Sequence, residues 1–324
     1  MRYKQSQIGL LISLVTLFAC NYTQGIAAKP AKQQNLQIAS VLPPQPHADV
    51  LAIPLTYKIE TYDSQVMGGG RTYGVSLPPG YEQNLQQRYP VIFLLHGGHG
   101  EPTDWFLKNK GQALKTLEQL YQTGKLPPSI IITPDGNDKR GSSPYYDPQY
   151  IDGPNGKVST AVGYELVRVV QSRYRTLPNP DFWAMGGLSS GGWGALNVGL
   201  HNLRNFSILF SHSGYFKDSS GPQNSPITYI KNIPLPAKKS LRVYLDVGTS
   251  DIEELDDAKE FTKVLSRQQI YHIFRQFPGS HTWQYWREHL ADSLTFVGEQ
   301  FRLNEIAHAS DNLGFEQPKK SQNQ

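Results

Sequence analysis

The segment Gly187-Leu188-Ser189-Ser190-Gly191 fits the pattern G-x-S-x-G, which sets a serine between two glycines at a tight turn. The pattern is weak by itself in a chain with 29 glycines, and its flanks give it weight. Phe182-Trp183-Ala184-Met185 reads as a strand before it, and a helical run through Trp193 to Leu200 follows. A sharp strand-to-helix turn lifts the Ser189 hydroxyl above a sheet, and the helix start offers free N–H groups where negative charge develops. A serine hydroxyl needs a base to become a nucleophile, and the base needs an acid to orient it. Two loops downstream supply them in that order. Asp251 closes Gly248-Thr249-Ser250-Asp251 after an apolar run at Val243-Tyr244-Leu245, and His281 closes Gly279-Ser280-His281 after the run from Ile270 to Phe277. Each has rivals: Asp246 within its strand, Glu253 and Glu254 just past the loop, His272 inside a strand and His289 on a following helix. Placement beyond the carboxyl ends of strands favours Asp251 and His281. The loop His96-Gly97-Gly98-His99-Gly100 follows another strand and can present backbone N–H groups.

The elements that must position these groups alternate short apolar runs with helical spacings, the mark of βαβ units and a mostly parallel sheet with helices on both faces. Val91 to Leu95, Ile130-Ile131-Ile132 and Ser207-Ile208-Leu209-Phe210 complete the apolar set. Leu114, Leu117 and Tyr121 share one helical face, with Gly124 placed to end the helix. Val162, Leu166, Val169 and Val170 share another. Leu55–Tyr62 and Thr72–Leu77 read as an antiparallel pair across Gly68-Gly69-Gly70.

At 324 residues, with 38% hydrophobic and 18% charged residues, the chain is globular and long enough for a full core. Arg2 and Lys4 supply two of the formal charges in the net +4, and no basic run interleaves with aromatics, so nucleic acid is not an expected partner. Those two residues precede an apolar run from Ile8 to Cys20, the layout of an export leader. Cys20 is the single cysteine, which excludes an internal disulfide. Leu17-Phe18-Ala19-Cys20 resembles a bacterial lipobox, with cleavage near Ala27-Ala28 as the alternative. The expected division is a leader over 1–28, a flexible linker over 29–49, one catalytic domain over 50–303 and a polar tail over 304–324. The expected location is outside the cytoplasm, with membrane attachment only through the leader or a lipid at Cys20.

Taken together, the segments Ser76 to Tyr81, Tyr89 through Gly98, Pro134-Asp135-Gly136-Asn137, Gly187 to Leu196, Ser213-Gly214, Gly248 to Asp251 and Pro278 to Arg287 resemble the putative esterase family of α/β-hydrolases. Feruloyl and acetylxylan esterases, enterochelin esterases and mycolyltransferases belong to it. The resemblance implies the α/β-hydrolase fold, a triad of Ser189, Asp251 and His281, and an oxyanion hole from the N–H groups of Gly98 and Ser190. Trp105 and Trp283 become candidate walls of the substrate cleft. It implies an ester substrate, such as an acylated sugar, and neither metal nor organic cofactor. Ser190 stands where the family commonly has methionine, and Thr282 where an aspartate often follows the histidine. Two other readings share these residues: acyl transfer to an alcohol or sugar acceptor, and a surface binding protein that keeps the fold without turnover.

Ser189 and Ser190 are separable by their neighbours. Only Ser189 has glycine on both sides at two residues' distance; for Ser190 the position before is Leu188. Ser189→Ala should abolish turnover and labelling by an organophosphonate, whereas Ser190→Ala should keep the labelling and most of the turnover. A phosphonate adduct mapped to the Ser190 peptide would overturn the assignment.

Overall fold

A computed structural model describes residues 40–141 and 150–312. The leader and Cys20 lie outside the described residues. Eight strands form the main sheet: β1 (Lys58–Ser64), β2 (Gly69–Ser76), β3 (Val91–Leu95), β4 (Ile130–Pro134), β5 (Trp183–Leu188), β6 (Ile208–His212), β7 (Arg242–Gly248) and β8 (Tyr271–Phe277). Their spatial order is β1-β2-β4-β3-β5-β6-β7-β8. The β1–β2 hairpin attaches antiparallel to β4, and every pair from β4 onward is parallel.

Parallel strands covered on both faces alternate their side chains between two cores. On β3, Val91, Phe93 and Leu95 join the core that includes α2 (Leu166–Arg173), α3 (Ser190–His201) and α4 (Ile252–Arg267). Ile92 and Leu94 point the other way, toward α1 (Ala113–Gln122) and α5 (Trp283–Asn312). The helical stripes follow suit: Val162, Leu166 and Val170 face the first core, and Leu117 with Tyr121 faces the second. Gly124 takes left-handed geometry, with φ +64°, just past α1, as a helix-ending glycine does.

Strand register sets where the loops emerge. Leu95 lies beside Gly187, Leu188 beside His212, His212 beside Asp246, and Gly248 beside Phe277. The segments that follow these strands therefore leave the sheet along one edge, which brings 96–100, 189–191, 249–251 and 278–281 together.

Two expected boundaries are corrected. The linker over 29–49 is not loose throughout: Leu42 is buried, its N–H donates to Glu305 Oε1 at 2.9 Å, and Ser40 Oγ donates to the same oxygen at 2.5 Å. The tail over 304–324 is likewise helical through Asn312 as the end of α5. There Asn304 donates to the Asp181 carbonyl, and His308 Nε2 lies 2.9 Å from Asp181 Oδ2.

Candidate active site

Ser189 sits between β5 and α3 with φ 52° and ψ −127°, outside the regions a residue with a side chain favours. Close packing of the turn accounts for the glycines on either side. A Cβ on Gly187 would meet the Gly191 carbonyl oxygen at 2.5 Å, and one on Gly191 would meet the His96 carbonyl oxygen at 2.3 Å. The Ser189 N–H donates to the His212 carbonyl at 2.9 Å, which ties the turn to β6. Ser189 Oγ then stands 2.8 Å from His281 Nε2, and His281 Nδ1 stands 2.8 Å from Asp251 Oδ2. The acid loop and the histidine loop are joined directly, since the Ser250 N–H donates to the Gly279 carbonyl at 2.8 Å. The His281 ring packs edge-on against Trp286, with centroids 4.9 Å apart. Thr282 accepts the Tyr285 N–H on its hydroxyl at 3.3 Å and so caps the start of α5.

Asp246 belongs to a different group. It shares the inward face of β7 with Tyr244 and looks toward α5, with its carboxylate fully buried. His212 Nδ1 lies 2.9 Å from Asp246 Oδ1 and 2.8 Å from Oδ2, and His212 Nε2 lies 2.9 Å from Ser293 Oγ. Tyr285 donates to Asp246 Oδ1 at 3.0 Å. The described residues thus contain these two Ser–His–Asp series, and of the two that of Ser189 opens on solvent: the His281 side chain is 36% exposed, and that of His212 is 0% exposed. His272 and His289 are also accounted for elsewhere. His272 Nδ1 donates to the Ile270 carbonyl, and His289 stacks on Phe277 with centroids 4.0 Å apart.

Gly98 lines the cleft with Ser189 and Ser190. Its loop is fixed by side chains that hold the surrounding carbonyls. Trp105 Nε1–H donates to the Leu95 carbonyl at 3.0 Å, Tyr150 to the His96 carbonyl at 2.8 Å, and Asn137 to the Gly100 carbonyl at 3.0 Å. His96 holds the Gly97 carbonyl itself. Its Nε2 accepts the Gly136 N–H at 3.0 Å, which puts the proton on Nδ1, 3.0 Å from the Gly97 oxygen. Burial lowers the His96 pKa and keeps the ring neutral in that tautomer. None of these side-chain ties follows from spacing in the sequence; Tyr150 in particular carries no local signal.

The cleft has a volume of about 550 Å³. Trp283 lines it, as expected, beside Tyr215 and Trp286. Trp105 does not, and its expected role as a wall is corrected: it is fully buried and backs Trp283 edge-on at 5.8 Å. Lys110 and Asp104 also line the cleft and are ion-paired at 2.7 Å. The indole of Trp105 satisfies its one donor inside the loop, so burial costs it nothing in hydrogen bonding.

Residues 64–297, well over half the chain, match the family described as "Putative esterase". The chain belongs to the putative esterase family. An acetyl esterase of Caldicellulosiruptor saccharolyticus is 23% identical over 238 residues, which span 64% of this chain and 83% of the relative. An uncharacterized protein of Corynebacterium glutamicum is 21% identical over 244 residues, 69% of this chain and 56% of that longer protein. Among solved structures, a ferulic acid esterase superposes with a TM-score of 0.69 at 26% identity, covering 76% of this chain and 98% of that one. These esterases share the α/β-hydrolase fold described above.

Glu254 is the site residue whose part was missed as more than a rival acid. Asp251, Glu254 and His281 each offer a ligand atom, all within 4.8 Å of one another. A cation held there would compete with the hydrogen bonds that His281 already makes. Partial burial, helped by a hydrogen bond shared with Asp251, pushes the Glu254 pKa up to about 7. The folded state therefore holds this proton more tightly than the unfolded chain between the ordinary value of 4.5 and about 7. Stability from this group is present below that window and is lost as pH rises through it. In Glu254→Gln, stability relative to the wild type should rise with pH across the window, by on the order of 1 kcal/mol given the screening of a half-exposed group. Urea denaturation of both proteins at pH 4.5 and pH 8 tests this, and a difference that does not change with pH would refute it.

Proposed function

We propose that this family member is a serine carboxylic-ester hydrolase whose substrates are acylated carbohydrates. The observation that carries the reading is the continuous hydrogen-bonded series Ser189–His281–Asp251 at the mouth of the cleft, with 2.8 Å at both links. His281 Nε2 takes the hydroxyl proton as Ser189 Oγ attacks the ester carbonyl, and Asp251 holds the imidazole and favours its charged form. The N–H groups of Gly98 and Ser190 stabilise the oxyanion. His281 returns the proton to the departing alcohol, leaving an acyl-enzyme. Water then attacks the acyl carbon, again losing its proton to His281, and the acid leaves as Ser189 is regenerated. The acetyl and ferulic acid esterases among the relatives support the choice of acyl group, and the aromatic side chains of Trp283, Trp286 and Tyr215 give a planar acyl group surfaces to pack on.

A panel of p-nitrophenyl acetate, methyl ferulate and acetylated xylan, each with and without free sugar, tests the reading. Acid release that is insensitive to the sugar is expected. Acyl sugar as the main product would make the chain a transferase, and failure to turn over any ester would remove the enzymatic reading altogether.

Asp251→Asn should lower kcat by orders of magnitude, about 10⁴ in the best-studied serine triad. Asp246→Asn should act mainly on stability, because it disturbs a buried group with two hydrogen-bonded partners. The assignment of the acid fails if Asp246→Asn, still folded by circular dichroism, is the crippling change and Asp251→Asn is mild.

A further inference from the structure

A second concavity, about 640 Å³ in volume, lies across a thin wall from the catalytic cleft. The wall is made of two short stretches, each with one residue on either side. Tyr215 lines the cleft while Lys217 lines the groove, and Glu254 lines the cleft while Asp256 lines the groove. It is held firmly: Phe216, between the two faces, stacks on Phe261 at 4.4 Å and donates its N–H to Asp257 at 3.2 Å.

The groove is basic by construction. On α4, Lys259, Lys263 and Arg267 follow at steps of four residues, so they stand on one face about 6 Å apart along the helix axis. Lys217 and Lys231 line the same groove. Two carboxylates there are already engaged, Glu260 with Lys217 at 2.6 Å and Asp256 with Lys259 at 3.2 Å. Lys231, Lys263 and Arg267 are exposed and make no ion pair among the described residues. Five cations against two carboxylates leave the lining with a net charge of +3, which concentrates positive potential where a long ligand leaving the catalytic cleft would run.

From this we infer that the groove binds the anionic part of the substrate: a carbohydrate chain bearing carboxylates, whose ester-bearing unit reaches over the wall to Ser189. The inference rests on the hydrolase reading above for the identity of the chain, while the groove's charge stands independently. The paired carboxylates keep Lys217 and Lys259 in place, and Lys231, Lys263 and Arg267 contact the uronate groups.

The test compares the wild type with Lys263→Glu/Arg267→Glu and with the milder Lys231→Gln/Lys263→Gln. Substrates are p-nitrophenyl acetate, acetylated polygalacturonate and acetylated neutral xylan; binding of de-esterified polygalacturonate is measured separately. Turnover of p-nitrophenyl acetate reports folding and should be unchanged in both variants. For acetylated polygalacturonate, kcat/KM should fall about tenfold or more in the charge reversal and less in the neutral variant, through KM. The wild type's loss of polygalacturonate turnover between 50 and 500 mM salt should shrink in parallel. Xylan turnover should not move. Equal effects on the acidic and neutral polymers, or none on either, would overturn the inference. So would unchanged polymer kinetics alongside lost binding to phosphatidylglycerol vesicles, which would give the groove to a membrane surface. If no ester is turned over by the wild type but polygalacturonate binding is lost in the variants, the hydrolase reading fails and the groove stands.

Discussion

Ser189 is held at φ 52° and ψ −127°, and much of the surrounding structure serves to keep it there. A side-chain-bearing residue in such a conformation costs on the order of 1–3 kcal/mol and persists only where its neighbours leave no alternative. Here β5 is flanked by β3 and β6, the serine's N–H is taken by the His212 carbonyl, and the Trp193 N–H is given to the Ser189 carbonyl at 3.0 Å. The glycines at 187 and 191 allow backbone to approach backbone more closely than any Cβ would permit. The same close approach sets Leu95 and His96 against the turn, so the loop with Gly98 is held beside the serine by the packing that strains it.

The two Ser–His–Asp series differ in burial: one lies wholly inside the protein and the other meets solvent. Asp246 and His212 are register partners on adjacent parallel strands, and their side chains enter the interior under α5. With Tyr285 and Ser293 they form a polar network that locks α5 onto the sheet, where unpaired polar groups would be costly. Asp251 and His281 come three and four residues after their strands end, and they meet on the solvent side. Tyr285 links the two groups, since it lies one turn beyond His281 and hydrogen-bonds to Asp246 on the inside. The buried network thereby fixes the helix whose first turn follows the exposed histidine.

The loop around Gly98 gains its geometry from donors at four separate places in the chain: His96, Trp105, Asn137 and Tyr150. Each of these bonds fixes one backbone carbonyl of the loop or of the strand end before it. The side chains that do so are buried, so the loop's conformation is fixed by the fold itself.

A mostly parallel sheet with helices on both faces, and Ser189, Asp251 and His281 as candidates just past the ends of strands, were legible in the sequence, because they depend on local period, glycine placement and order along the chain; the structure brings the three side chains together. The rest required contacts between distant residues. Leu42 and Glu305 are 263 positions apart, and each lies in a polar stretch that reads as loose until the other is beside it. Trp105 offers itself in sequence as a cleft wall or as core; the position of Leu95 and Trp283 around it makes it core. Glu254 looks like any helix-start acid in sequence, and its raised pKa arises from partial burial in the folded chain and from the hydrogen bond it shares with Asp251. Periodicity records which way a side chain points from its own element, whereas what it meets there is decided by the other elements that share the space.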